Sequence, residues 1–323
     1  MDPLSDVLSL LKPRSYTSGG FEVGGGVAIQ FPRPQGIKCY AVVSGQCWLS
    51  VEGIPDPVLL TAGDCYLLPR GLAFSLSTDL SLTPVDFKIF LEAFRSGAHA
   101  PTRNEDSCYV VGGHFLLEGS HADILLSSLP PIVHIQKDSD KEAMRWSLER
   151  MKEELQDPQP GGSLIAQQLA YMMLVQALRL HLADETKGGV GWLFALADKK
   201  MSAAITCMHD DPAHRWTLQE LAERVGMSRS IFALRFKETV GLTPMEYLTR
   251  WRMLLAGDKL TISDEPICAI ASSLGYESES AFGKAFRRVM GCSPRRYSRG
   301  DTIPMPAASA TETADTLELA AVS

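Results

Sequence analysis

Between Ser280 and Gly300 stand six basic residues, Lys284, Arg287, Arg288, Arg295, Arg296 and Arg299, with no acidic residue among them. A run of one sign suits the neutralisation of phosphates, where each cation releases a condensed counterion. About fifty residues upstream, Arg229 follows Ser228 at the head of a second apolar-periodic stretch. A guanidinium in that position is able to make two parallel hydrogen bonds to the edge of a guanine. Ser230 and Ala233 lie beside it as further base-reading candidates, and Lys237 follows where a phosphate would be met. In the later stretch Glu279, Ser280 and Gly283 take the corresponding places. Glu279 could accept from a cytosine amino group or cap its own helix, and Gly283 offers no side chain. Lys284, Arg287 and Arg288 are therefore expected to position the nucleic-acid backbone, and this half to read fewer bases.

The elements that would position these side chains are encoded twice. Ser228, Phe232, Phe236, Gly241, Thr243, Pro244 and Tyr247 are matched fifty residues on by Ser278, Phe282, Phe286, Gly291, Ser293, Pro294 and Tyr297. Upstream the offset is forty-nine, pairing Leu218, Leu221, Ala222, Val225 and Gly226 with Ile267, Ile270, Ala271, Leu274 and Gly275. Each copy predicts helix, tight turn, helix. Thr217 is the expected N-cap of the first, with Glu220 completing a capping box. Gly226 and Gly275 end the first helices where φ turns positive. Ser228 caps the second helix, whose inward face carries Phe232 and Phe236, as Phe282 and Phe286 do in the later copy. Thr243-Pro244 and Ser293-Pro294 supply a cap followed by proline at the first helical position. The stretch from Met245 to Leu260 predicts one connecting helix, a spine with Trp251 in its core. It would hold the two recognition helices about one DNA turn, roughly 34 Å, apart.

The run GYESESAFGKAFRRVMGCSPRRYSR resembles the signature of the AraC/XylS family of bacterial transcription regulators. The resemblance is strong from Ala203 to Arg299 and looser elsewhere. Relatives often carry a basic residue where Leu234 stands, so this position points either to a thymine methyl or to packing. The resemblance implies double-stranded promoter or operator DNA and RNA polymerase as partners, with activation favoured over repression. It also implies a small-molecule effector and a homodimer.

Charge is divided along the chain. From Ala203 to Arg299 there are 14 Lys/Arg and 11 Asp/Glu, net +3, within a chain of net −7, so the remainder carries −10 and should stay off DNA. At 323 residues the chain has room for two or three domains. It shows no membrane-length apolar run and no signal peptide in MDPLSDVLSLLKPR. Seven cysteines without paired spacing suggest reduced thiols in a cytoplasm.

Residues from about Gly20 to Ile135 have the texture of β structure, with alternating segments around Cys39–Val43 and Cys47–Val51. The run from Gly63 through Pro69 and Gly71 to Phe74 resembles the second cupin motif, with Phe74 where that motif has histidine. Gly45 resembles the end of the first motif, whose two histidines are absent, and Lys38 falls about where its glutamate would be. Phenylalanine cannot ligate, so the barrel is expected to be retained without metal, as an apolar small-molecule pocket. Cys108, His114, His121 and His134 fit no zinc spacing. No cofactor is expected. Beyond Gly112–Ile135, which resembles a closing cupin segment, two amphipathic runs flank the Asp157–Gly162 breaker. They predict an antiparallel helical pair, serving either as a dimer interface or in packing within the domain, with Met172 and Met173 in the core. Lys187–Gly191 is the hinge candidate, and a helix over 192–208 leads into the C-terminal part.

The expected fold class is α+β multidomain. A β jelly-roll or cupin barrel, the sensor domain, spans 1–137, and a helical dimerisation and linker region spans 138–200. An all-α domain with two helix-turn-helix units follows over 201–300, and a disordered tail over 301–323. The expected function is an effector-responsive, sequence-specific DNA-binding regulator with no catalytic site. The alternatives are a metal-dependent cupin enzyme with a helical appendix, and an architectural DNA-binding protein without a sensor.

Overall fold

A computed structural model describes residues 2–11, 13–23, 26–34, 36–96, 107–117, 129–157, 159–183 and 190–299. Its first helix, α1 (Pro3–Leu11), groups by contact with the C-terminal residues, while residues 13–117 and 129–183 form a separate unit. His121, the 187–189 part of the hinge candidate and the tail from 300 onward lie outside the described residues.

The β-rich unit is a sandwich of two five-stranded sheets. One contains, in order, β1 (Pro13–Val23), β9 (Cys108–Leu117), β3 (Ile37–Ser44), β6 (Cys65–Leu68) and β10 (Val133–Ile135). The other contains β5 (Val58–Thr61), β4 (Gln46–Val51), β7 (Phe74–Ser77), β2 (Ala28–Phe31) and β8 (Pro84–Asp86). Every pairing is antiparallel except β2 with β8. Strand β4 shows why the sequence folds this way. Cys47, Leu49 and Val51 turn into the sandwich while Gln46, Trp48 and Ser50 turn out, the period-2 pattern of a half-buried strand. All four residues of β6 are buried, because its sheet is covered on both faces. The second cover is the helical pair α3 (Asp138–Gln156) and α4 (Gly162–Ala183), packed against β1, β3, β6, β9 and β10.

Buried charge ties this cover down. Asp64 receives Lys141 Nζ at 2.7 Å, the Thr61 N–H at 2.8 Å and His134 Nε2 at 3.1 Å, joining α3 to β6 and β10. Burial works to raise the Asp64 carboxyl, but His134, Lys141 and the Thr61 amide outweigh it and bring the pKa down to about 2.

Three local expectations are corrected. Residues 87–95 form a helix, α2, inside the region read as β, because Phe87, Phe90 and Leu91 repeat at helical spacing and Phe87 stacks on Phe31 at 4.8 Å. Met172 is 42% exposed, so only Met173 of that pair belongs to the core. The helix expected over 192–208 is two helices, α5 (Trp192–Ala195) and α6 (Lys199–Asp210). Asp198 divides them by accepting from the N–H groups of Lys200 and Met201.

The C-terminal unit continues with α7 (Leu218–Arg224), α8 (Arg229–Val240), α9 (Pro244–Ile262), α10 (Ile267–Ser273), α11 (Glu279–Met290) and α12 (Pro294–Ser298). It contains two matching cores. In the first, Phe232 meets Phe236 at 5.6 Å and Phe236 meets Tyr247 at 5.8 Å. In the second, Phe282 meets Phe286 at 5.7 Å and Phe286 meets Tyr297 at 5.4 Å. Helix α9 serves both, giving Tyr247 and Leu248 to one and Met253, Ala256 and Leu260 to the other. Trp251 is buried, as its place in the spine predicts.

Candidate nucleic-acid interface

Helices α8 and α11 begin alike. The Ser228 hydroxyl accepts from Ile231 N–H at 3.4 Å, and the Ser278 hydroxyl accepts from Ala281 N–H at 3.2 Å. Both end on a left-handed glycine, Gly241 at φ 80° and Gly291 at φ 75°. The cap at Thr217 also forms, accepting from Glu220 N–H, but the Glu220 side chain goes to His214 Nε2 at 2.9 Å. The reciprocal capping box occurs instead at Thr243 and Glu246, at the head of α9.

With Phe232, Phe236 and Val240 buried, helical period places Ser230, Leu234 and Lys237 on the opposite, outward face of α8. The same construction on α11 puts Ser280, Lys284 and Arg287 outward, with Arg288 beside them. Arg229 and Ser230 are exposed on the first turn of α8, and Ala233 is half-buried. Glu279 lies 3.7 Å from Arg295, an exposed pair of little energetic weight. Gly283 is half-buried, and a Cβ built on it meets nothing within 4 Å. Lys237, Lys284, Arg287 and Arg288 are all exposed. The residues named as scaffold behave as such: Phe232, Phe236, Phe282 and Phe286 are fully buried, and Pro294 is buried at the first turn of α12. Gly226 and Gly275 take φ of 61° and 79°.

Several features escape the sequence reading. Arg252, on α9, donates from Nε to Pro212 O at 2.6 Å and from Nη2 to His214 O at 2.8 Å, with its guanidinium 5.7 Å over the Tyr276 ring. Arg215 pairs with Glu277 across the same seam. These contacts join the loop before the first helix-turn-helix to the turn of the second, over about sixty residues of chain, and no local pattern signals them. Arg235 is held by Asp198 at 2.5 Å, which ties α8 to the start of α6. The N-terminal helix packs on α6 and α9. Asp2 caps it, its carboxylate accepting from Ser5 N–H and Oγ, and Leu4, Val7 and Leu8 are buried. Asp-Pro followed by apolar residues at helical spacing was the available signal.

At the cupin-like positions, Phe74 is buried and stacked on Phe31 at 4.5 Å, so side chains occupy the middle of the sandwich. Lys38 shares the inward face of β3 with Tyr40 and Val42, and burial lowers it to about 8. His114, opposite Lys38 on β9, is lowered to about 4 by burial and by the charge of Lys38. Among the described residues no three His, Cys, Asp or Glu side chains gather as a metal group. No described helix is long and apolar enough to cross a membrane.

A cupin-type sandwich followed by paired helix-turn-helix units on a shared spine defines a class of DNA-binding regulator. A cupin family profile matches residues 2–183, more than half of the chain, and a helix-turn-helix domain profile matches 221–300. An AraC-like transcription regulator of Streptomyces lividans is 43% identical over 305 residues, covering 94% of this chain and 100% of its own. Another, from Streptomyces antibioticus, is 43% identical over 307 residues, covering 95% and 100%. Among solved structures, the DNA-binding domain of AdpA in complex with a target DNA is 30% identical over 30% of this chain and 87% of that one, with a TM-score of 0.29. The chain belongs to the AraC-like transcription regulators, with an AraC-type helix-turn-helix DNA-binding domain.

Proposed function

We propose that the protein is an effector-responsive activator that reads a promoter through two unequal recognition helices. The observation that carries this reading is the pair of outward faces on α8 and α11. They are built alike inside and differ outside, apolar at Ile231 and Leu234 with Lys237 as the outward cation on α8, and strongly basic at Lys284, Arg287 and Arg288 on α11. Arg229, with Ser228, Ser230 and Ala233, is assigned base contacts under the first unit. Glu279, Ser280 and Gly283 make fewer under the second, and Lys237, Lys284, Arg287 and Arg288 hold phosphates.

The β-sandwich is assigned the sensor role. Phe74 and Lys38 stand where a metal-binding cupin has ligands, which supports sensing over catalysis. The connecting segment ends on the first recognition helix, because Gly191 N–H donates to Thr239 O at 2.9 Å. A change in that segment would therefore be felt by α8. RNA polymerase is assigned as the protein partner. The protein would work as a homodimer in the cytoplasm, where its DNA is.

The test is specific binding of the full chain to DNA sequences it selects from a random pool. Arg229→Ala should cost about 1–3 kcal/mol at one base position. An unchanged sequence preference would remove Arg229 from the reading surface.

A further inference from the structure

The outward face of α8 carries two large apolar side chains that are mostly exposed. Ile231 is 59% exposed and Leu234 is 60% exposed. They are three residues apart and so adjacent on the helix surface. Packing, the other reading of Leu234, is set aside by this exposure: the buried residues of α8 are Phe232, Phe236 and Val240. At the matching places on α11 stand Ala281 and Lys284. The apolar pair is thus peculiar to the first copy, and it lies between Ser230 and Lys237, the residues that share its outward face.

An exposed Ile–Leu pair is a cost in water, and it is useful only against an apolar surface. The major groove offers one such surface at the edges of its bases, the C5-methyl of thymine. Arginine at position 234 would seek the O6 and N7 of guanine; leucine has no hydrogen bond to offer and would gain only by covering a methyl. We propose that Ile231 and Leu234 read thymine methyl groups, so that the half-site under α8 is specified by thymines beside the base that Arg229 contacts, while the half-site under α11 is held mainly through phosphates. This rests on the assignment of α8 as a recognition helix.

The experiment uses the full chain and duplexes selected from a randomised library, with deoxyuridine then replacing thymidine at each selected thymine in turn. Removing a covered methyl should weaken binding about fourfold at one or two positions. Leu234→Ala should bind the parent duplex more weakly and lose its sensitivity to deoxyuridine at its own position, and Ile231→Ala should do the same at the neighbouring one. Leu234→Arg should select guanine there. Both side chains are exposed, so an unchanged melting temperature is expected for each variant and confirms that folding is intact. Equal binding of thymidine and deoxyuridine duplexes overturns the methyl contact while leaving α8 as a reader. A selection that enriches no sequence at all would overturn both.

Discussion

At the scale of single residues, the most consequential side chain outside the DNA-facing surface is His209. Its ring stacks on Trp251 at 3.7 Å, Nε2 lies 2.8 Å from the Tyr247 hydroxyl, and Nδ1 lies 3.2 Å from Asp6 Oδ2. A neutral tautomer satisfies both contacts, donating from Nδ1 and accepting at Nε2. Burial lowers its pKa from 6.5 to about 3. The unfolded chain therefore binds this proton first, so the stabilisation is complete above about pH 6.5 and is lost as pH falls toward 3. At pH 5 the loss should be about 2 kcal/mol. Denaturant midpoints at pH 7.5 and pH 5 should show it, and His209→Gln should flatten the difference; equal slopes in the two proteins would contradict the assignment. His209 was not legible in advance. Its partners come from the far N-terminus and from the spine, and a lone histidine in a helix carries no local sign of either.

At the scale of elements, the repeat was legible because its information is local: caps, left-handed glycines and phenylalanines four apart. What joins the copies was not. Gly226 and Gly275 look equivalent in sequence and share a positive φ, yet a Cβ on Gly226 would meet nothing within 4 Å. On Gly275 it would lie 2.3 Å from Ala213 O, at the seam closed by Arg252 and Tyr276. Gly226→Ala should therefore cost only the backbone strain, about 1 kcal/mol. Gly275→Ala should cost more and should also shift the second helix-turn-helix against the first. The distinguishing readout is affinity for duplexes whose half-sites are moved one base pair closer or further apart. Native protein and Gly226→Ala should share one sharp optimum, and Gly275→Ala should broaden or move it. An identical optimum in all three would show that the seam does not set the spacing. The β-sandwich was legible from alternation, as in β4, whereas α2 was hidden because its nine residues lie among strands of similar length.

At the scale of the whole molecule, charge and exposed apolar surface divide the labour. The net −10 outside Ala203–Arg299 should keep that part of the chain from competing for phosphates. The helical pair α3 and α4 spends one face on the sandwich, and on another Trp146 is 64% exposed beside Met172 and a groove of about 230 Å³. If a second copy covers this face, Trp146→Asp should yield monomers in sedimentation and weaken binding to paired sites, with little change for a single site. A variant that stays dimeric would place the interface elsewhere. Hydroxyl-radical footprinting of the full chain on its selected DNA, with base substitutions scanned across the protected region, distinguishes two recognition helices of unequal duty from two equal ones. Two protected windows about ten base pairs apart on one face of the duplex are expected. Substitutions should be costly in the window under α8 and tolerated in the window under α11. A single window, or equal intolerance in both, would contradict that division of duty.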